Sequence, residues 1–160
     1  MKNTQKGFTL VELLVVIAIL AILATVSVVG YTSFIGEAEQ TAIDTDVANI
    51  EGFIEKNLIL SNSFVLGTVD ATITTPGAND AEATTATGKA SVVITRNAQG
   101  EFAISLVPVN AATNATASVA AGAVITVSGD LKLNGTLTYK DATTLTYALK
   151  SKTADIALND

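Results

Sequence analysis

One carboxylate stands where an apolar environment would exclude it. In the stretch KGFTLVELLVVIAILAILATVSVVG, residues 6–30, Glu12 is followed by a run from Leu13 to Ala24 in which every side chain is apolar. A carboxylate within a membrane-embedded helix costs at least about 2.5 to 3.5 kcal/mol, so it is normally functional or paired. Two plainer roles are also open to Glu12: it lies shallow enough to reach water, or it caps its own helix, where the dipole contributes about 0.3 to 1 kcal/mol.

Little other chemistry is on offer. The chain of 160 residues has no histidine and no cysteine, which removes the commonest general base, the commonest metal ligand, thiolate zinc sites and disulfides. Enzymatic activity is not expected, and no cofactor is called for. Asp44 with Asp46, and Asn79 with Asp80 and Glu82, offer carboxylate and amide oxygens to calcium, but neither group matches an EF-hand loop, and no metal site is assigned. Asn114-Ala115-Thr116 and Asn134-Gly135-Thr136 fit the N-glycosylation pattern, which also arises by chance, and the second reads better as a turn.

The elements that position Glu12 are legible from hydropathy and period. Composition is 49% hydrophobic and 5% aromatic with a mean hydropathy of +0.47, which indicates an apolar anchor joined to a Thr/Ala-rich β structure. Residues 10–29 would span about 30 Å as a helix, the thickness of a bilayer's hydrocarbon core. Lys2 and Lys6 precede the run and Glu37 and Glu39 follow it, so the positive-inside rule keeps the N-terminus cytoplasmic and the remainder outside.

Beyond Gly30 the period becomes that of an amphipathic helix. Tyr31, Ile35, Ala38 and Ala42 form one stripe, and Ile43, Val47, Ile50, Ile54 and Leu58 its continuation. A single helix from Phe8 to about Leu60 is expected, with Gly30, Gly36 and Gly52 as points where it could bend. From Ser61 onward β signals dominate, in Ser91–Thr95, Phe102–Val109, Ala123–Gly129 and Thr144–Lys150. Residues 76–88 read as a polar loop. Asn134-Gly135 reads as a three-residue hairpin loop with a bulge at Gly135, pairing Leu131 with Leu137.

The polar-to-apolar junction Lys6-Gly7-Phe8 comes before the apolar run, the reverse of a secretory signal peptide, whose cleavage site follows it. With its basic leader, Gly7, Phe8, Glu12 and an unbroken apolar helix, KGFTLVELLVVIAILAILA resembles the N-terminus of type IV prepilins and of the pseudopilins of type II secretion and competence systems. The resemblance covers residues 4–34. Ala21 and Val29 depart from it, standing where the family often has a glycine and a helix-kinking proline.

The resemblance implies several things. A prepilin peptidase would cut between Gly7 and Phe8 and methylate the Phe8 amine, and Glu12 would pair with the N-terminal amine of a neighbouring subunit. Lys2 and Lys6 would be the leader charge. The implied fold is α+β and pilin-like: residues 1–7 a leader, 8–30 a membrane and filament-core helix, 31–60 its amphipathic continuation, 61–160 a β-rich head. Implied partners are further copies of the chain in a helical filament, the peptidase, the cytoplasmic membrane and a pilus or secretion assembly machinery. The precursor would be a single-pass membrane protein and the product a surface or extracellular filament.

Charge narrows the partners. The net charge of −6 argues against nucleic acid, since phosphate contacts need clustered Lys and Arg. Residues 31–60 carry six acids against Lys56 alone, whereas Lys132, Lys140, Lys150 and Lys152 gather in the last third; the plainer reading is an ordinary solvated surface, and the other is that the basic end of one head meets the acidic helix of a neighbour. Alternative functions are a pseudopilin of a secretion or DNA-uptake system, and a secreted or anchored β-sheet binding module with a poor cleavage site near Val28 and Gly30.

Overall fold

A computed structural model describes residues 7–77, 82–111 and 114–159. The chain divides into two compact units, Met1–Gln40 and Thr41–Asp160. Helix α1, Leu10–Leu60, runs through both. Gly30, Gly36 and Gly52 all lie inside it without interrupting its hydrogen bonding.

In the first unit every described residue from Gly7 to Ile35 is exposed. Three of the hydroxyls there bond back to their own helix: Thr25 Oγ1 donates to Ile22 O at 2.7 Å, Ser27 Oγ to Leu23 O at 2.7 Å and Thr32 Oγ1 to Val29 O at 3.0 Å. Hydroxyls bonded back to their own helix bring no unpaired polar group into lipid. Among the described residues α1 is the helix long and apolar enough to cross a membrane.

In the second unit the remainder of α1 packs on antiparallel sheet. Ile43, Ile50, Ile54 and Leu58 are buried and Val47 partly so, all in one core with residues of the strands. Each buried side chain of this size contributes roughly 1.5 to 3 kcal/mol. This is the second predicted stripe; of the first, Tyr31 and Ile35 are exposed.

Two sheets supply the other side of the core. The first contains β1 (Ser63–Thr75), β2 (Thr84–Arg96), β3 (Phe102–Pro108), β4 (Thr116–Ser118) and β6 (Thr126–Val127), in the order β3-β2-β1-β4 with β6 also on β1. The second contains β5 (Ala123–Val124), β7 (Thr136–Tyr139), β8 (Thr144–Leu149) and β9 (Lys152–Ala157), in that order. Inward positions of β1 and β2, such as Val69, Ala71, Ile73, Ala90, Val92 and Ile94, are buried. Their neighbours Asp70, Thr72, Thr87 and Lys89 are exposed, and Lys89 Nζ meets Asp70 Oδ1 at 2.9 Å.

Several strand expectations are corrected. β1 and β9 are strands that the β signals leave out, and β2 reaches back to Thr84 inside the predicted polar loop, of which residues 78–81 lie outside the described ones. Ala123–Gly129 is not one strand: β5 pairs with β7 in one sheet, β6 with β1 in the other. That crossing brings Thr126 O to 2.3 Å from where a Cβ on Gly67 would stand, next to the bulge in β1 between Val65 and Gly67. Only glycine allows so close an approach.

The predicted hairpin at Asn134-Gly135 is absent. Leu137 pairs with Tyr147 of β8, and Leu131 to Leu133 belong to no strand. The reason is tertiary. Gly135 lies under the Tyr147 ring, where a Cβ would stand 2.8 Å from the hydroxyl and 2.1 Å from Ala148 O, and the Asn134 amide points to α1 instead of closing a turn.

Candidate functional site

The N-terminal site is built on the first turn of α1. Gly7, Phe8 and Thr9 precede the helix, and Phe8 is 87% exposed. Thr9 N–H donates to Glu12 Oε2 at 2.8 Å, Thr9 Oγ1–H donates to the same oxygen at 2.8 Å, and Glu12 N–H donates to Thr9 Oγ1 at 3.3 Å. This reciprocal arrangement is a capping box, which satisfies two of the free amides at a helix start.

Glu12 therefore caps its own helix through one oxygen. Among the described residues Oε1 has no hydrogen-bond partner, so the carboxylate keeps a full acceptor for a cation. Thr9, which holds it, is absent from the sequence-based candidates although its spacing to Glu12, T-x-x-E, signals a helix start. Lys2 and Lys6 lie outside the described residues.

The segment with this geometry also matches a known family. Residues 2–28 match the prokaryotic N-terminal methylation motif. The chain carries the type IV prepilin and pseudopilin signature. With α1 packed on antiparallel sheet, the fold is the α+β arrangement that the prepilin resemblance implies. A prepilin motif is a structural, non-enzymatic feature, and together with the apolar helix it supports a membrane-anchored precursor handled by a prepilin peptidase and an assembly machinery. Comparison with curated proteins and with solved structures gives no match.

A second polar constellation lies in the head. Asp46 on α1 is 7% exposed, and its Oδ2 accepts the Tyr147 hydroxyl at 2.6 Å while both oxygens lie 3.4 Å from Asn134 Nδ2. Tyr147 is fully buried. Burial, then the bond to Asp46 and the charge of that carboxylate, push its hydroxyl pKa up to about 12.

This cluster bears on two of the alternatives that the sequence offers. Asp46 is engaged by a phenol and an amide instead of offering a calcium ligand with Asp44, and among the described residues no group of three or more acidic, histidine or cysteine side chains could hold a metal. Asn79 and Asp80 lie outside the described residues. The Asn134 side chain is spent on Asp46, while Asn114 is exposed ahead of β4.

On the outer side of the second sheet, Lys140 Nζ pairs with Asp155, whose other oxygen accepts Thr146 Oγ1–H at 2.6 Å. The bond to Asp155 raises the Lys140 pKa. Lys140 and then Thr146 hold the Asp155 carboxyl below its usual range. Lys140 is thus engaged within its own chain.

Proposed function

We propose that this chain is a structural subunit of a type IV pilus. Residues 1–7 serve as a leader, a peptidase cuts between Gly7 and Phe8, and the Phe8 amine is methylated. Residues 8–30 hold the precursor in the cytoplasmic membrane with its N-terminus inside, and later form the filament core. Residues 31–60 and 61–160 are the amphipathic continuation and the head. Glu12 pairs with the Phe8 amine of a neighbouring copy in the filament.

The match of residues 2–28 to the methylation motif carries this reading. The free Glu12 Oε1 supports it, because a capped carboxylate with one open oxygen can take an ammonium without uncapping its helix. The Thr-rich outer faces of long strands such as β1 and β2 favour a surface fibre over a short secretion pseudopilus.

The experiment is mass spectrometry of the N-terminus in fibres sheared from native cells. A chain starting at methylated Phe8 in long fibres is the expected result. The same N-terminus in chains recovered only from membranes would indicate a pseudopilin, and a start near Tyr31 a secreted module; either overturns the pilus reading.

A further inference from the structure

The two sheets treat their outer edges differently. Antiparallel pairing turns alternate residues of an edge strand outward, leaving their N–H and C=O groups open to another chain. On β3 the first two of these positions, Phe102 and Ile104, are engaged. Asn159 Oδ1 accepts Phe102 N–H at 2.5 Å and Asn159 Nδ2 donates to Phe102 O at 2.8 Å, while Ile104 N–H donates to Ala142 O at 2.6 Å. Pro108, at the end of the same strand, has no N–H to offer.

On β9 they are not covered. Leu158 N–H bonds Thr143 O at 3.0 Å, continuing the ladder in which Lys152, Ala154 and Ile156 face β8. Thr153, Asp155 and Ala157 therefore face outward, all three are exposed, and among the described residues no backbone group pairs with them. Beside this edge lies a groove floored by Ile54, Phe102 and Leu158 and rimmed by Glu51 and Glu55 of α1. Those two carboxylates have no hydrogen-bond or ion-pair partner among the described residues, and their spacing of four places like charges side by side on the helix.

The chain also contains the complement. Asp130 to Leu133 lies outside every strand, its backbone makes no hydrogen bond among the described residues, and Lys132 is exposed without a carboxylate partner. We propose that the 130–133 segment of one copy adds to the open β9 edge of the next as a short strand, with Lys132 meeting Glu51 and Glu55. The two surfaces differ, so the contact is heterologous, and in the filament of the proposed function it repeats from each copy to the next. Backbone bonds supply strand addition and the lysine sets its register.

This inference rests on the filament reading, and the test separates the two. In native cells, Ala157 of the full chain is replaced by the photo-crosslinking residue benzoylphenylalanine, and sheared fibres are irradiated and analysed by peptide mass spectrometry. Expected is a cross-linked dimer joining position 157 to residues 130–133 of another copy. Fibres of chains starting at methylated Phe8 in which position 157 links elsewhere, or not at all, overturn the inference and leave the filament reading intact. Absence of such fibres from unmodified cells overturns both.

Charge exchange gives a second readout. Lys132→Glu is expected to lower fibre yield about three-fold or more, since a weak ion pair is repeated at every subunit. Glu51→Lys with Glu55→Lys in the same chain is expected to restore much of it. All three sites are exposed, and an unchanged circular dichroism spectrum shows that each variant folds. Wild-type yield from Lys132→Glu, or no recovery in the triple variant, overturns the inference.

Discussion

The Tyr147 hydroxyl donates a 2.6 Å hydrogen bond to the Asp46 carboxylate, joining residues 101 positions apart. The bond ties the second sheet to α1, and among the described residues the buried carboxylate is met by a phenol and a distant amide and forms no ion pair. An anion so placed makes its remaining partners indispensable.

Tyr147→Phe is expected to destabilise the head by about 2 kcal/mol, since a buried carboxylate loses its shortest donor. Adding Asp46→Asn to it should cost much less than the two separate losses combined, because the uncompensated charge is gone. Urea unfolding of the detergent-solubilised chain and its variants, arranged as a double-mutant cycle, measures the coupling.

Burial of the Tyr147 hydroxyl, together with this bond, sets an alkaline limit. The Tyr147 pKa is raised in the folded state to about 12 from an unfolded value of 10.0, so its contribution is fully present below pH 10 and is lost as pH rises toward 12. The unfolding midpoint should fall across that window in the wild type. In Tyr147→Phe the fall should be smaller.

Gly135→Ala should be among the most damaging single-methyl changes in the chain. The new Cβ would stand 2.1 Å from Ala148 O and 2.8 Å from the Tyr147 hydroxyl, against backbone that is itself in the β7–β8 ladder. A loss of at least about 2 kcal/mol is expected, measured by thermal unfolding. Gly52→Ala, with nothing within 4 Å of its Cβ, serves as the neutral or stabilising control.

Thr9→Ala and Glu12→Gln separate capping from assembly. Removing the Thr9 side chain should cost about 1 kcal/mol at the helix start yet leave the Phe8 N-terminus and fibres in place. Glu12→Gln keeps an oxygen for the Thr9 amide but loses the charge, and on the proposed function it abolishes fibres. N-terminal mass spectrometry and fibre yield distinguish the two outcomes.

Much of this architecture is legible because its signals are local. The apolar run after Glu12 and the stripe through Ile43, Ile50, Ile54 and Leu58 predict α1 to within two residues of its observed start at Leu10 and end at Leu60. β1 alternates correctly, with Val69, Ala71 and Ile73 inward against Asp70, Thr72 and Thr74, but an alanine and an aspartate dilute the hydrophobic signal. Asn134-Gly135 misleads for the opposite reason. Its turn chemistry is strong, and what overrides it is Asp46 on α1 and Tyr147 on β8, far away in sequence. The T-x-x-E capping box was readable from spacing alone.

Asn159 covers the start of β3 with one side chain, meeting both the N–H and the C=O of Phe102 as a neighbouring strand would. A single amide side chain thus occupies the two backbone groups with which another strand would begin to pair at that end of β3.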